Sequence, residues 1–265
     1  MLGAIIGDIV GFRYEWNNIK TKDFDFFYPK ATFTDDSVMT LAIAKAIMES
    51  NGNCNKLNEL AAKDMRELGR LYPNRGYGIM FSNWLDLDTM GAYNSFGNGA
   101  AMRVSPCGFA AETLDEAKIL ARKVTEVTHN HPEGLKGAEA TAACIFLAKN
   151  GMSIPEIREY VNSNYYPMDF TIDGIRDSYQ YNVTCQGSVP QAIMAFLESD
   201  SFEDAIRNAI SIGGDSDTIA AITGGIAEAY YGIPTEIRSY ALKILDKNLV
   251  GILTDFEKVY NSKVI

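Results

Sequence analysis

The sequence predicts an all-α fold, because helical periodicity recurs along the chain and alternating strand patterns are scarce. Apolar residues follow one another at spacings of three and four over residues 114–127 and again over 135–147. Two closing helices are predicted over 235–249 and 252–259. The stretch YQYNVTCQ, residues 179–186, is the one segment whose pattern also fits a strand.

The organisation of the chain favours one domain, since no Pro/Ser-rich linker or low-complexity run divides it. We therefore expect a single domain over residues 1–265. The helix after Asp217 is rich in alanine and carries Gly224 and Gly225 at its middle, where each glycine costs about 1 kcal/mol relative to alanine. Glycine at this place indicates that another helix approaches closely, so we expect this helix to lie at the centre of the bundle.

Charge and cysteine usage limit the partners and the compartment. The formal net charge is −10 and no cluster of Lys and Arg stands out, so nucleic acid and an anionic membrane are unfavoured partners. The four cysteines are scattered without a C-x-x-C pair, and we expect reduced thiols, a cytoplasmic protein and a monomer. The apolar start MLGAIIGDIVG carries Asp8 and is too short to cross a bilayer, so no targeting segment is expected.

Two aspartates and a threonine stand between a glycine pair and a run of small apolar residues in the segment IGGDSDTIAAI, residues 212–222. One acid near a helix start satisfies free N–H groups and suits the helix dipole. That explanation accounts for either Asp215 or Asp217, but it does not account for both together with Thr218.

A second acidic cluster opens another helix, in the segment FTDDSVMTLAIAKAIMES, residues 33–50. Thr34 is a suitable N-cap, which leaves Asp35 and Asp36 in the first turn. Adjacent side chains on a helix diverge by about 100°, so both acids can face one point only at the mouth of the helix.

Together the two clusters offer four carboxylates and two hydroxyls, which are hard oxygen ligands suited to Mg²⁺, Mn²⁺ or Ca²⁺. Four negative charges would balance two divalent cations, and without metal the same charges would repel one another. The sequence therefore predicts a binuclear metal site, with two unrelated capping clusters as the alternative. The predicted ligands are Thr34, Asp35, Asp36, Asp215, Asp217 and Thr218.

A glycine-rich loop and a histidine pair supply further candidates. In SFGNGAAMRVSP, residues 95–106, Gly97 and Gly99 are expected to adopt positive φ and to present N–H groups to phosphate oxygens, or else to form a simple turn. Arg103 is expected to pair with an Asp or Glu, and pairing with a phosphate is the alternative. His129 and His131 are the only histidines, and each fits either a core or capping role or a contact with a ligand.

The segment YPNRGYGIMFSNWL, residues 72–85, is aromatic and rich in glycine. Its rings fit a buried aromatic cluster, and they also fit the lining of an approach to the site. The sequence leaves both interpretations open.

Five motifs in order along the chain resemble the ADP-ribosylglycohydrolase family, which contains the dinitrogenase-reductase-activating glycohydrolase. The opening GAIIGDIVGFRYE resembles the start of the family's sequences, and the two acidic clusters resemble its metal motifs. The five segments are residues 3–15, 33–42, 95–106, 128–134 and 213–232.

The resemblance implies a compact orthogonal helical bundle and a pair of Mg²⁺ or Mn²⁺ ions. It also implies hydrolysis, by a water activated at that pair, of the glycosidic bond between ADP-ribose and an acceptor. Arginine is the commonest acceptor in the family, and serine, a nucleic-acid end or a small conjugate are others, with free ADP-ribose as the product. The alternatives are a non-catalytic ADP-ribose-binding protein and a metal-dependent phosphohydrolase of ADP-ribose or nucleotides.

Residue by residue, the resemblance assigns the six oxygen ligands to metal and His129 to the phosphate or ribose. Glu15 matches an acid that closes over the ribose in some relatives, as a gate or as a catalyst. The catalytic candidates are Glu15, Asp35, Asp36 and Asp217. The candidates for binding ADP-ribose are Glu15, Ser95, Phe96, Gly97, Asn98, Gly99, Met102 and His129. Asp8 is expected to hold backbone near the site.

Overall fold

The computed structural model describes residues 1–260, and the predicted domain end at residue 265 lies outside them. The fold is all-α, as predicted, and the one pairing of extended segments among the described residues is an isolated bridge between Gly97 and Thr184. The helices are α1 Leu2–Gly11, α2 Asp35–Ser50, α3 Leu57–Leu71, α4 Ile79–Asp86, α5 Gly99–Met102, α6 Ser105–Ala110, α7 Leu114–Thr125, α8 Pro132–Lys149, α9 Ile154–Asn164, α10 Ile172–Ile175, α11 Cys185–Leu197, α12 Phe202–Ser211, α13 Ser216–Tyr231, α14 Thr235–Ile244 and α15 Lys247–Tyr260.

The two predicted helices in the middle of the chain correspond to α7 and α8. Helix α7 ends at Thr125, and α8 extends the prediction over 135–147 at both ends. His131 is the N-cap of α8, because its side chain accepts a hydrogen bond from the Glu133 N–H at 3.1 Å. Of the roles left open for this histidine, the structure shows the capping role.

The boundary predicted between the two closing helices is wrong. The chain leaves α14 at Leu245 and starts α15 at Lys247, so residues 247–249 belong to the last helix. Asp246 explains the break, since its Oδ1 accepts the N–H groups of Asn248 at 2.9 Å and Leu249 at 3.0 Å. An aspartate that binds two free N–H groups starts a new helix more readily than it continues the previous one.

Helix α13 lies at the centre of the bundle, and its small residues let α1 approach to backbone contact. A Cβ placed on Gly3 would lie 2.2 Å from the carbonyl oxygen of Gly224, and one on Gly7 would lie 2.0 Å from that of Ala220. Every residue of α13 from Ser216 to Ala227 is buried. The close approach predicted from the glycine pair is confirmed.

This packing brings the starts of α2 and α13 together. Asp8 on α1 is completely buried, and its Oδ2 accepts the N–H of Thr34 at 2.9 Å and that of Ser37 at 3.1 Å. Asp8 therefore holds the first turn of α2 in place, as expected. Within residues 1–260, no helix has both the length and the apolar character needed to cross a membrane.

Candidate functional site

A cavity of about 640 Å³ opens where α2, α13 and the glycine-rich loop meet. Its wall includes all six predicted oxygen ligands, together with Glu15 and His129. From the loop it includes Ser95, Gly97, Asn98, Gly99 and Met102. Residues from motifs that are far apart in the sequence therefore line the same cavity.

The carboxylates of the two acidic clusters lie close together. One oxygen of each of Glu15, Asp215 and Asp217 lies within 4.8 Å of the other two. Asp36 joins this group from α2, because its Oδ2 accepts from the Thr218 hydroxyl at 3.2 Å and from the Thr34 hydroxyl at 3.4 Å. The two clusters form a single group of acids in space.

Helix capping does not explain these acids. Asp215 stands at the N-cap of α13, yet its side chain makes no capping bond; its Oδ2 accepts instead from Asn98 Nδ2 at 2.7 Å. At α2 the capping role belongs to Thr34, which leaves Asp35 and Asp36 without one. One hydrogen bond fits a capping role, because Asp217 Oδ1 accepts the Thr218 N–H at 3.0 Å. No such bond accounts for Asp35, Asp36 or Asp215, so two capping clusters do not explain the whole group.

The electrostatics of the acids favour a divalent cation. Burial, followed by the charges of neighbouring acids, raises the pKa of Asp36 and Asp217 well above the usual range. In residues 1–260 no Lys or Arg forms an ion pair with any acid of the group. Asp36 Oδ1 is buried without a hydrogen-bond partner. An unpartnered carboxylate oxygen among buried like charges fits a metal ligand.

Glu15 lies at the outer edge of the acids, beneath two aromatic side chains that the sequence did not indicate. Burial, followed by the charge of Asp215, raises the pKa of Glu15 to about 7. The Tyr181 hydroxyl donates to Glu15 Oε1 at 3.3 Å, and the ring of Trp16 stacks on that of Tyr181 with centroids 5.4 Å apart. Trp16 is 76% exposed, and both aromatic residues line the cavity.

The glycine-rich loop departs from the prediction in two respects. Gly97 and Gly99 do not have positive φ, because Gly97 pairs in extended conformation with Thr184 and Gly99 starts α5. Phe96 is not part of the cavity wall; its ring is 43% exposed and contacts His131, with centroids 5.1 Å apart.

Arg103 does not pair with an acid, and that expectation is wrong. Its side chain is 1% exposed, lines the cavity, and donates from Nη2 to the Thr128 hydroxyl at 2.6 Å, while Nε has no partner. Thr128 Oγ1 lies 2.8 Å from His129 Nδ1 and 3.5 Å from the Thr125 carbonyl oxygen. Arginine has only donors, so the Thr128 hydroxyl oxygen accepts from Arg103. The hydroxyl hydrogen of Thr128 then points to His129 Nδ1, because that contact is shorter than the one to the Thr125 carbonyl oxygen.

His129 consequently presents a donor to the cavity. Burial, followed by the charge of Arg103, lowers its pKa well below the usual value, so the ring is neutral at pH 7. With Nδ1 accepting, the one ring proton is on Nε2. That nitrogen faces the loop, since a Cβ on Gly99 would lie 3.3 Å from it and one on Gly97 would lie 3.6 Å from it.

The aromatic segment over 72–85 takes both of the roles left open for it. Trp84 is buried in the core, with its ring under the Arg66 guanidinium at 4.0 Å. Tyr77 and Phe81 line the cavity together with Ile79, which is 83% exposed. Residues 77–81 therefore line the site, and the buried Trp84 packs α4 against the core.

This all-α fold, with its cavity of buried acids beside a glycine-rich loop, is that of a class of glycosidic-bond hydrolases. Residues 1–257 match the profile described as ADP-ribosylglycohydrolase. The chain therefore belongs to the ADP-ribosylglycohydrolase family.

Individual relatives agree with this assignment. The chain is 26% identical over 303 residues to ADP-ribosylhydrolase ARH3 of Xenopus tropicalis, covering 88% of this chain and 86% of that protein. Over about half of the chain it is 30% identical to ADP-ribosyl-[dinitrogen reductase] glycohydrolase of Rhodospirillum rubrum, covering 47% of that protein. ADP-ribosylarginine hydrolase Tri1 of Pseudomonas putida (strain GB-1) is 28% identical over 144 residues, covering 52% of this chain and 39% of that protein.

A solved chain described as an ADP-ribosylglycohydrolase-related protein complex shares the fold. Its TM-score is 0.68 at 21% identity, and the match covers 98% of this chain and 95% of the solved one. At that identity the likeness concerns the fold alone.

Proposed function

We propose that the protein hydrolyses the glycosidic bond between ADP-ribose and an acceptor, with the help of two divalent cations, Mg²⁺ or Mn²⁺. One observation carries the proposal. Three buried aspartates and the half-buried Asp35 come from two helix starts and line a cavity beside a glycine-rich loop, with Glu15 at their edge. No basic residue among 1–260 forms an ion pair with them.

The ligands of the cations would come from both helix starts. Helix α2 would supply Thr34, Asp35 and Asp36, and the start of α13 would supply Asp215, Asp217 and Thr218. When bound, such cations lower the pKa of water and polarise hydroxyl groups such as those of a ribose.

The acids also have roles of their own. A carboxylate beside the reacting carbon can accept the proton of the attacking water; Asp35, Asp36 and Asp217 are the candidates. The negative field of the group stabilises the positive charge that develops on the ribose during glycosidic cleavage. Glu15, whose pKa is raised to about 7, is suited to holding or releasing a proton near neutral pH.

The other end of ADP-ribose would lie along the glycine-rich loop. His129 Nε2 would donate to a phosphate or ribose oxygen, and the small residues Gly97 and Gly99 leave space for the backbone to approach the ligand. Arg103 adds a buried positive charge below this part of the cavity, which favours the diphosphate.

The acceptor we propose is ADP-ribosyl-arginine or another guanidino or O-linked group. The flat faces of Trp16 and Tyr181 at the rim suit a planar cation such as a guanidinium. The substrate would then be an ADP-ribosylated protein or a small ADP-ribosyl conjugate, and free ADP-ribose would be the product.

Product analysis tests this function. The protein is stripped with EDTA, supplied with Mg²⁺, Mn²⁺ or no metal, and incubated with peptides ADP-ribosylated on arginine or on serine. We expect free ADP-ribose, detected by mass spectrometry, only in the samples with metal. AMP as the product would indicate a phosphohydrolase, and tight ADP-ribose binding without turnover would indicate a binding protein.

Asp217→Asn should lose the activity, whereas Asp169→Asn, on an exposed residue away from the cavity, should keep it.

A further inference from the structure

A second cavity, of about 530 Å³, adjoins the first, and no residue of the glycine-rich loop lines it. Both cavities are lined by Glu15, Trp16, Thr34 and Gly76. Glu15 and Thr34 of the candidate site therefore stand at the boundary between the two spaces.

Three basic side chains, Arg13, Lys30 and Arg75, line this second cavity, and none of them has a carboxylate partner among the described residues. Lys30 is exposed. Among residues 1–260, Glu15 is the one acid in the lining of this cavity, so its basic side chains outnumber its acids. In a chain of net charge −10, this local excess of positive charge favours an anionic ligand.

The two arginines are held in place by neutral groups. The Arg13 guanidinium lies over the rings of Tyr14, at 4.4 Å, and Tyr28, at 4.8 Å. Arg75 lies 4.0 Å from the centre of the Phe33 ring and donates from Nη1 to the Thr32 hydroxyl at 2.9 Å. Rings and hydroxyls fix the position of a guanidinium but leave its charge uncompensated.

We propose that the second cavity holds an acidic side chain that flanks the modified residue of a protein acceptor. The inference rests on the proposed function. With ADP-ribose along the glycine-rich loop and its glycosidic bond at the acids, the acceptor leaves on the opposite side of Glu15 and Thr34, where the second cavity begins.

A peptide carboxylate fits this cavity better than a nucleic-acid end does. The positive charge is limited to three side chains within about 530 Å³, which is enough for one or two acidic side chains. Binding along nucleic acid requires a longer basic surface, and the net charge of −10 repels an extended polyanion.

The test compares two peptides that are ADP-ribosylated at one residue and carry either Glu or Gln on both sides of it. For the full-length protein with Mn²⁺, kcat/KM should be about two- to fivefold higher for the Glu peptide at low salt, and the preference should shrink as salt screens it. Lys30→Gln should reduce the preference, and Lys30→Glu should reverse it. Lys56→Gln, on an exposed lysine outside both cavities, should leave it unchanged.

Three outcomes would overturn the inference: no Glu preference in the wild-type protein, an equal loss on both peptides in the Lys30 variants, or a larger preference for an ADP-ribosylated, 5′-phosphorylated oligonucleotide. An equal loss would mean that the basic residues only offset the charge of the acids. Dissociation constants of the same peptides are measured in EDTA by fluorescence anisotropy, and the wild-type and Lys30→Gln values are compared as a double-mutant cycle. These dissociation constants test the role of the second cavity even if neither peptide is hydrolysed. In that case a Glu preference in binding would support the cavity, and only the proposed function would fail.

Discussion

The Asn98 side chain binds the Asp215 carboxylate, with Nδ2 donating to Oδ2 over 2.7 Å between residues 117 positions apart. The same nitrogen donates to the Ser188 hydroxyl at 3.1 Å. Because both hydrogens of the amide are engaged within the protein, Asn98 fixes the position of an acid instead of donating to a ligand. The glycine-rich loop and the second acidic cluster are thereby coupled.

Asn98→Ala should therefore damage metal binding as well as binding of ADP-ribose. A hydrogen bond to a charged group contributes about 1.5–3 kcal/mol, so the Kd for Mn²⁺ should rise by roughly ten- to a hundredfold. Isothermal titration with Mn²⁺ checks this, with Ser188→Ala as the control that keeps the bond to Asp215. A variant with a wild-type Kd for Mn²⁺ but weaker binding of ADP-ribose would instead make Asn98 a ligand-binding residue alone.

The metal-free protein should become less stable as the pH rises from 5 to 8. Burial raises the pKa of Asp35, Asp36 and Asp217, so the folded protein keeps protons that the unfolded chain releases near pH 4. The stability that these protons contribute is complete below the ordinary carboxyl pKa and is lost as the pH passes the raised values.

Thermal melting in EDTA and in Mn²⁺ measures this effect across the same pH range. Because Mn²⁺ displaces the protons, the rise in Tm that it produces should grow with pH. A Tm in EDTA that stays constant or rises between pH 5 and 8 would contradict the shifts in pKa.

The sequence was enough to predict the all-α class and helices such as α7 and α8, because their periodicity is clear, and the glycine pair of α13 indicated its close packing. It also indicated the four aspartates of the cavity wall, since each acidic cluster opens a helix within a few residues, whereas Glu15 was indicated only by the resemblance to the family. Contacts between distant segments could not be derived in this way. Tyr181 reaches Glu15 across 166 positions, and the partner of Arg103 is a hydroxyl instead of the expected acid. The one local signal for Tyr181 was a pair of tyrosines in a segment interpreted only as a possible strand.

Gly99→Val should weaken binding of ADP-ribose and leave metal binding nearly intact. A Cβ at this position would lie 3.3 Å from His129 Nε2, so the larger side chain presses on the nitrogen that we propose donates to the ligand. We expect a higher KM and a normal Mn²⁺-induced rise in Tm. Gly91→Val is the matched control, because no atom lies within 4 Å of its Cβ position. An unchanged KM in Gly99→Val would mean that the loop is only a turn.

Thr128→Val should change the protonated nitrogen of His129. The wild-type hydroxyl accepts from Arg103 and lies 2.8 Å from Nδ1, so the ring should carry its proton on Nε2, whereas the variant should show a mixture of tautomers. Long-range ¹⁵N NMR distinguishes the two forms, and the chain has only two histidines to assign. KM should rise more than kcat falls, and Thr128→Ser should restore both. A wild-type ring protonated on Nδ1 would contradict the arrangement.

Asp217→Asn provides the most direct test of whether the acids hold metal, because it removes one charge with little change of shape. In EDTA the variant should be as stable as the wild type or more stable at neutral pH, since the charges of Asp36 and Asp215 oppose ionisation of Asp217. An aspartate paired with a buried cation would behave in the opposite way, and its loss would destabilise the fold by about 3–5 kcal/mol.

In the presence of Mn²⁺ the wild type should be more stable than Asp217→Asn. A cation at a hundredfold excess over its Kd stabilises the folded state by about 2.7 kcal/mol, and Asp217→Asn should lose most of that gain together with the release of ADP-ribose. Melting curves of both proteins in EDTA and in Mn²⁺ give the two differences directly. An unchanged Mn²⁺ shift would remove Asp217 from the proposed metal ligands, and a sharp fall of Tm in EDTA would give it a structural role. Asp36 Oδ1 is buried without a hydrogen-bond partner. A structural role for the acids leaves this oxygen unexplained, whereas a bound metal ion would supply its partner.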